Sequence, residues 1–249
     1  MHLLRQDRAW LMGHPSDDIG FDHWNSYYEL LERRYRGEPI QYITGETEFY
    51  GLPFRVTPDV LIPRPETEHL VEKVIELAAS FQSPRIVDIG TGSGAIAVIL
   101  AHKFPSTQIT AIDLSVTALA IAQENARGNG VDFRFLQGDL LAPVANEKFD
   151  IVVSNPPYVP ETDRPTLSVE VRDYEPSLAL FAGPDGLVIY RRLIPQAFAA
   201  LVPGGYIALE IGYNQSEAIH QLLASSRFHN IEFLPDLQGI PRVASAQHP

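Results

Sequence analysis

The sequence has no cysteine and comparatively few basic residues. Without cysteine among its 249 residues, the chain cannot form a disulfide framework, a thiolate zinc site, an iron–sulfur cluster or a cysteine nucleophile. Only 19 lysines and arginines stand against 31 aspartates and glutamates, which gives a net charge of -12. Proteins with broad duplex-binding surfaces neutralise phosphates with lysine and arginine. This balance therefore argues against stable nucleic-acid binding and leaves room only for a local basic patch.

Long apolar segments are also absent. No window holds about 18 uninterrupted apolar residues, so no transmembrane helix is expected. The first eight residues, MHLLRQDR, lack the apolar core and the cleavage site of a secretory signal. We therefore expect a cytoplasmic protein without membrane contact. Its length fits one large domain, or one large and one small domain.

The N-terminal part of the chain has a different pattern from the rest. The first 36 residues are predicted to be helical, and one apolar stripe recurs there at helical spacing: Trp24, Tyr27, Tyr28, Leu31 and Tyr35. Residues 41–45 and 48–56 are aromatic and β-branched around glycines, which predicts a β-hairpin. Pro65 then opens an amphipathic helix to about Ser80. Three parts are predicted, a small helical domain, a hairpin with its linker, and a large domain: residues 1–38, 39–62 and 63–249.

From residue 85 onward, short apolar strands alternate with helices. Strands are predicted at 85–89, 108–113, 132–137, 149–154, 206–211, 231–234 and near Val243. Helices are predicted at 95–103, 115–129, 187–201 and 215–226. This alternation indicates an α/β fold with a mostly parallel sheet covered on both faces. Ligands bind such sheets outside the carboxyl ends of the strands, so the informative residues are those that follow strands.

A glycine-rich loop follows the first strand of this sheet. Gly90, Gly92 and Ala95 fit the dinucleotide fingerprint, and Asp113 ends the next strand, where an acid for a ribose is expected. The loop and Asp113 predict an adenosine-type cofactor, but they do not separate NAD from S-adenosylmethionine. Asp88 lies just before the loop. Its carboxylate either caps local backbone N–H groups or meets the ammonium group that S-adenosylmethionine has and NAD lacks.

The turn after the strand at 149–154 reads Asn155-Pro156-Pro157-Tyr158. Two prolines stiffen it, and the residue before a proline is extended, so Asn155 is held at the ligand edge of the sheet. The Asn155 side-chain carbonyl and the Pro156 backbone carbonyl are then able to accept hydrogen bonds from one NH2 group, while Tyr158 offers a flat surface. A purely structural turn is the alternative. An amide nitrogen is a poor nucleophile, so a site of this kind works chiefly by positioning.

Residues 88–94 together with 155–158 resemble the class I S-adenosylmethionine-dependent methyltransferases that modify planar NH2 groups. Residues 48–54 and 61–68 look like the hairpin and linker of the HemK/PrmC family, and 172–176 with 183–187 are similar to its segment beyond the turn. The resemblance covers about residues 20 to 243. It implies a Rossmann-like, mostly parallel seven-stranded sheet with a small helical N-terminal domain and a β-hairpin. The N-terminal domain is shorter here than in most of the family, which affects the expected mode of substrate docking.

This resemblance implies an enzyme that methylates the side-chain amide of the glutamine in the Gly-Gly-Gln motif of class 1 peptide chain release factors. S-adenosyl-L-methionine is the expected donor and S-adenosyl-L-homocysteine the product, with no metal. Asn155, Pro156 and Tyr158 are the expected catalytic residues. The expected substrate contacts are Asn155, Pro156, Pro157 and Tyr158. The expected cofactor contacts are Asp88, Gly90, Thr91, Gly92, Ser93, Gly94, Asp113, Asp139, Leu140 and Asn155.

Several alternatives remain open on the sequence. Asp139 also reads as a turn residue, and Arg64 and Glu66 read either as family markers near the site or as a linker and a helix cap. An N-methyltransferase acting on an adenine or guanine amino group of DNA or RNA needs the same Asn-Pro-Pro-aromatic turn, with the extruded base stacked on Tyr158. An NAD-dependent oxidoreductase accounts for the glycine loop but not for residues 155–158. A non-catalytic binding module explains neither the turn nor its position.

Overall fold

The structure is a computed structural model that describes residues 2–249. Its helices are α1 (Arg8–Gly13), α2 (Phe21–Tyr35), α3 (Ile40–Thr44), α4 (Thr67–Ala78), α5 (Ala95–Lys103), α6 (Val116–Gly128), α7 (Ser177–Leu180), α8 (Val188–Ala200) and α9 (Ser216–Ser225). Its strands are β1 (Glu46–Phe49), β2 (Leu52–Arg55), β3 (Arg85–Ile89), β4 (Gln108–Asp113), β5 (Arg134–Gln137), β6 (Phe149–Ser154), β7 (Leu201–Glu210), β8 (His229–Pro235) and β9 (Pro241–Gln247). Within residues 2–249, none of the helices combines the length and the apolar character needed to cross a lipid bilayer.

Seven strands form one sheet in the order β5-β4-β3-β6-β7-β9-β8. The pairs from β5 to β7 are parallel, and β9 is antiparallel to both β7 and β8. The predicted α/β fold with a mostly parallel seven-stranded sheet is therefore confirmed. The chain runs outward from β3 to β5 and then returns to β6 on the other side of β3. The carboxyl ends of β3 and β6 thus meet at the point where the strand order reverses, which is where such sheets bind ligands.

Helices cover both faces of the sheet. On one face, α4 and α5 pack over β3, β4 and β6 in a cluster that includes the fully buried Leu70, Val71 and Val74. Helix α5 buries every residue from Ala95 to Leu100 because the sheet and α4 enclose it together; a helix that is apolar all round is stable only in such a place. On the other face, α8 and α9 bury Tyr190, Leu193 and Leu223.

The hairpin and its linker pack on α6 through a third, smaller cluster that includes Tyr42, Val60, Ile62 and Ile121. The Tyr42 hydroxyl donates a hydrogen bond of 2.7 Å to the carbonyl of Val60. This contact holds the linker between β2 and α4 close to the carboxyl edge of the sheet. The residues on either side of Pro63 are thereby available to the ligand site.

Apart from shifts of one or two residues at the ends of elements, three local predictions differ from the structure. The predicted N-terminal helix is interrupted, because Pro15 and Gly20, with φ +76°, separate α1 from α2. Residues 40–44 form the short helix α3 rather than a strand, and the hairpin consists of β1 and β2 alone. Strand β7 begins five residues earlier than predicted, since Leu201 pairs with Phe149.

The aromatic stripe of α2 remains exposed, and α2 has no buried residue.

Candidate active site

A cavity of about 320 Å³ lies at the carboxyl ends of the central strands. The loops after β3, β4, β5 and β6 form its floor, and linker residues from Val60 to Arg64 form one wall. Ten of the predicted site residues line this cavity together: Gly90, Thr91, Gly92, Ser93, Asp113, Asp139, Leu140, Asn155, Pro156 and Pro157. Three others, Asp88, Gly94 and Tyr158, are not part of the lining but adjoin it, Asp88 through its hydrogen bond to Thr91 and the other two through their chain neighbours. The structure thus brings the predicted cofactor loop and the predicted substrate turn to one place.

The glycine loop is a tight connection between β3 and α5. The backbone N–H groups of Gly90 and Thr91 both donate to the Ile112 carbonyl, at 2.8 and 3.0 Å, which ties the loop to the end of β4. Gly94 begins α5 with φ +80°, a conformation that side chains disfavour. A Cβ at that position would lie 3.1 Å from the Cβ of Ala122 on α6. Glycine is therefore required there for helix packing, behind the cavity and not within it.

Asp88 is fully buried at the end of β3. Its Oδ2 accepts a 2.6 Å hydrogen bond from the Thr91 hydroxyl, so the carboxylate fixes the loop. Its Oδ1 has no hydrogen-bond partner among residues 2–249. Burial raises the pKa of this carboxyl to about 7, a rise that the Thr91 hydrogen bond opposes and the charge of Asp113 favours. One oxygen thus holds the loop through a side-chain hydroxyl, whereas the sequence offered backbone N–H groups or a ligand ammonium group as its partners. The other oxygen is buried without a hydrogen-bond partner among the described residues.

Asp113 ends β4 at the cavity wall. Its two oxygens accept the backbone N–H groups of Gly92 and Ser115, each at 2.9 Å. Burial raises the pKa of this carboxyl, and both backbone donors oppose that rise. Each carboxylate oxygen has a further lone pair. Asp113 is therefore held rigidly by the loop and still able to accept hydrogen bonds from two hydroxyl groups.

Asp139 and Leu140 follow β5 and also line the cavity. Asp139 forms an exposed ion pair with Arg192 of α8. Leu140 adopts the left-handed conformation, with φ +51°. Asp139 and Leu140 therefore lie in a turn and also line the cavity. The sequence had left these two positions as alternatives for Asp139.

The turn at residues 155–158 is held by side chains from three other parts of the fold, α4, β7 and the start of α9. The Asn155 Nδ2 donates to the Thr67 Oγ1 of α4 at 3.1 Å. The Tyr158 hydroxyl donates to Glu210 Oε1 at 3.2 Å, and the Tyr158 carbonyl accepts from Gln215 Nε2 at 3.0 Å. Within residues 2–249, no donor reaches the Asn155 Oδ1 or the Pro156 carbonyl oxygen. These two acceptors are the ones that the sequence predicts for an NH2 group.

Sequence reasoning did not find Thr67 or Glu210. Glu210 is 1% exposed at the end of β7, and its Oε2 accepts from the Thr67 hydroxyl at 2.7 Å. Burial raises the pKa of Glu210 to about 7, while the hydrogen bonds from Thr67 and Tyr158 oppose the rise. Burial and the nearby Glu210 also raise the pKa of Tyr158. Glu210 lies at the carboxyl end of a predicted strand, and that position is the signal that could have identified it.

Arg64 joins the linker to the segment beyond the turn. Its Nη2 lies 2.6 Å from both carboxylate oxygens of Glu175, which is 5% exposed. Burial raises the pKa of Glu175, and the charge and hydrogen bonds of Arg64 oppose this. Arg64 also lines the cavity, as do Pro176 and Leu178. This ion pair therefore ties the linker to the segment beyond the turn where both contribute to the cavity lining.

The groups around the cavity fit an adenosyl cofactor that carries an ammonium group. The cavity volume is within the range of about 300–1,000 Å³ that is typical of small-molecule sites. Asp113 lines the cavity with lone pairs that suit ribose hydroxyls, and Asp88 has a buried oxygen that lacks a hydrogen-bond partner among residues 2–249. In the part of the chain that the structure describes, no three histidine, aspartate or glutamate side chains converge as metal ligands.

Two family models match the sequence, the Methyltransferase small domain over residues 66–170 and the PrmC N-terminal domain over residues 1–45. Among solved structures, a ribosomal protein L11 methylase from Lactobacillus delbrueckii subsp. bulgaricus is 28% identical, with a TM-score of 0.56 over 75% of this chain and 81% of that one. A methyltransferase from Pyrococcus furiosus shares the fold at 19% identity, with a TM-score of 0.57 over 90% and 98% of the two chains.

Curated relatives are more similar. The release factor glutamine methyltransferase of Koribacter versatilis (strain Ellin345) is 45% identical over 250 residues, which cover 100% of this chain and 89% of the relative. That of Moorella thermoacetica is 49% identical over 219 residues, covering 87% of this chain and 77% of the relative. With this identity over nearly the whole length, and with a cavity that joins a glycine loop to an Asn-Pro-Pro-Tyr turn, the chain belongs to the family of release factor glutamine methyltransferases.

Proposed function

We propose that this protein transfers a methyl group from S-adenosylmethionine to the side-chain amide nitrogen of the glutamine in the Gly-Gly-Gln motif of peptide chain release factors. The observation that carries the proposal is the turn at Asn155. Two unpaired acceptors, the Asn155 Oδ1 and the Pro156 carbonyl, line the same cavity as the glycine loop. Membership of the family supplies the class of substrate.

The cofactor contributes a methyl group on a positively charged sulfur and leaves as S-adenosylhomocysteine. The chain contributes positioning and charge. In the proposed site, Asp113 accepts the ribose hydroxyls, and residues 90–94 with Asp88 hold the methionine part. Asp139 and Leu140 flank the adenine. A carboxylate that is already fixed by two backbone donors needs little reorganisation on binding, which favours affinity.

The acceptor amide is oriented by the turn. The Asn155 Oδ1 and the Pro156 carbonyl each accept one hydrogen of the glutamine NH2. Pro157 lies beside them in the cavity lining, and Tyr158 supports the turn through its hydrogen bond to Glu210. Holding both hydrogens helps to localise the nitrogen lone pair and aims it at the methyl carbon. Such positioning lowers a barrier by roughly 7–11 kcal/mol in favourable cases. As the N–C bond forms, the C–S bond breaks, and the amide proton that becomes acidic is lost to solvent, so no strong base is needed.

The proposed partners are class 1 release factors, and the proposed location is the cytoplasm, where these factors meet the ribosome. The family name supports the first point. The net charge of -12 favours a protein loop over a nucleic-acid backbone as the substrate, because like charges repel.

A labelling experiment with three acceptors tests this function. The protein is incubated with S-[methyl-³H]adenosylmethionine and, separately, an unmodified release factor, ribosomal RNA and genomic DNA. We expect label on the release factor alone. Label on RNA or DNA without label on the release factor would contradict the proposal and favour the base methyltransferase that uses the same turn.

A further inference from the structure

Beneath the Asn155 turn lies a buried chain of hydrogen bonds that no step of the proposed reaction uses. Glu210 accepts from the Tyr158 hydroxyl with one oxygen and from the Thr67 hydroxyl with the other, at 3.2 and 2.7 Å. Thr67 in turn accepts from the Asn155 Nδ2 at 3.1 Å. Glu210 and Thr67 are 1% and 4% exposed. One carboxylate is thus connected to both ends of the turn.

The chemistry of these groups gives the chain of hydrogen bonds a direction. An ionised carboxylate only accepts hydrogen bonds, and a threonine hydroxyl has a single hydrogen to donate. While Glu210 is ionised, Thr67 donates that hydrogen to Glu210 and can only accept from Asn155. The Asn155 amide therefore presents its NH2 to Thr67 and its oxygen to the cavity. Without this constraint, nothing else within residues 2–249 fixes the amide, since Asn155 has no other side-chain hydrogen bond there.

The direction matters for the substrate. An amide acceptor brings two N–H donors to the site, and the Asn155 Oδ1 must face them. If the Asn155 amide were reversed, its NH2 group would face the NH2 group of the acceptor, and both would lack a hydrogen-bond acceptor there. Each unpaired donor in a buried site costs free energy.

We propose that Thr67 and Glu210 are positioning residues that hold the Asn155 amide with its oxygen toward the acceptor NH2. The proposal rests on the function proposed above, because it is the NH2 acceptor that makes the amide direction consequential. Protonation of Glu210 removes the constraint: a carboxylic acid can donate to Thr67, whose hydrogen then turns toward Asn155. Glu210 faces Tyr158 and Thr67, with Glu66 and Arg242 nearby, and the Tyr190 hydroxyl donates to its backbone carbonyl.

Threonine variants test the role of the hydroxyl. We expect Thr67→Val to lower kcat about tenfold or more, the effect of one misdirected hydrogen bond, with an unchanged Kd for S-adenosylmethionine. Thr67→Ser keeps the hydroxyl and should recover most of that loss. Thr110→Val is the matched control, because Thr110 is buried in β4 outside the cavity lining. A Thr67→Val enzyme with the kcat of the wild type, or a loss that serine does not recover, would overturn the proposal.

The pH dependence of kcat tests the role of Glu210. The wild-type kcat should rise with pH through about 7, the pKa to which burial raises Glu210. Glu210→Gln cannot ionise, so its kcat should stay near that of the wild type at low pH and should lack this acid limb. An identical acid limb in both enzymes would overturn the role of Glu210.

A third readout does not depend on turnover. In the ¹⁵N spectrum of the protein, the Asn155 side-chain NH2 signals, assigned by their absence in Asn155→Asp, should shift with the same midpoint as kcat and stay constant in Glu210→Gln. A signal that does not respond to pH would contradict the proposal even if the release factor proved not to be the substrate. An inactive wild type with a normal titration of this signal would instead contradict only the proposed function.

Discussion

The chemistry of this protein depends on a few side chains that each serve two partners. Asn155 commits its nitrogen to Thr67 and leaves its oxygen at the cavity. We expect Asn155→Ala to lower kcat by about 10²–10³-fold, the loss typical of one preorganised hydrogen-bonding group in an active site. Because the cofactor is proposed to bind mainly along the glycine loop, its Kd should change little. Calorimetry and single-turnover kinetics measure the two quantities, and a parallel loss of cofactor affinity would show that Asn155 is a shared contact.

Asp113 is the second residue for which the account makes a quantitative prediction. Asp113→Ala should weaken S-adenosylmethionine binding by about 1.5–3 kcal/mol for each charged hydrogen bond lost. The substitution also frees the Gly92 and Ser115 N–H groups, so it needs a control. Asp150→Ala provides one, because Asp150 accepts the Arg85 N–H at 2.7 Å away from the cavity. Calorimetry should show a weaker affinity for the first variant only; unchanged affinity would remove Asp113 from the cofactor site.

At this scale, strand ends were the signal that the sequence carried. Asn155 follows β6 and Asp113 ends β4, and the bounds of both strands, 149–154 and 108–113, were predicted as the structure has them. Thr67 and Glu210 could not be paired in this way, because 143 positions separate them and only the tertiary fold brings them together. The flat surface predicted for Tyr158 remains a prediction, since the ring lies behind the cavity wall and its hydroxyl is bonded to Glu210.

At the scale of elements, the linker between β2 and α4 is held in place by the Arg64–Glu175 pair. Removing one partner of a buried ion pair costs about 3–5 kcal/mol. Arg64 is 31% exposed, so we expect a smaller loss, about 2 kcal/mol, for Arg64→Ala. Arg55→Ala is the control, because the Arg55–Glu124 pair is exposed on both sides and should contribute about 0–1 kcal/mol. Urea unfolding measures both; equal losses would mean that the linker is held by its apolar contacts alone.

The accuracy of the predicted elements has a physical basis. Strands of a parallel sheet that are buried on both faces are continuous apolar runs, and β3, β4 and β6 have the predicted bounds. The segment at residues 41–45 looked like a strand because it is aromatic and β-branched. It forms α3 instead, because Pro39 suits a helix start and Gly45, with φ +77°, ends the helix. In a segment of only five residues, these signals at its two ends therefore decide the structure more strongly than its composition does.

At the scale of the whole molecule, two buried carboxylates make stability depend on pH. Asp88 and Glu210 each have a pKa of about 7 in the folded state, above their ordinary values of 3.8 and 4.5. A carboxyl group whose pKa is higher in the folded than in the unfolded state contributes stability that is fully present at pH values below its unfolded pKa. This contribution is lost as pH rises through its folded pKa. Carboxylates with lowered pKa values, such as Glu38 and Asp236, act in the opposite direction. The effect of Glu210 must therefore be isolated by a variant.

Glu210→Gln is that variant. It keeps the volume of the side chain and removes its titration. We expect the free energy of unfolding of this variant, relative to the wild type, to increase as pH rises from about 5 to about 8. Denaturant unfolding at several pH values gives the difference directly. A difference that is constant over this range would show that Glu210 does not titrate there.

The most direct test of the central claim is to locate the transferred methyl group. The protein, S-adenosylmethionine and an unmodified class 1 release factor are incubated together, and tandem mass spectrometry of the digested factor identifies the modified atom. We predict a single methyl group on the side-chain nitrogen of the glutamine in Gly-Gly-Gln, formed by the wild type and nearly absent with Asn155→Ala. A methyl group on another residue, or equal methylation by the two enzymes, would contradict it.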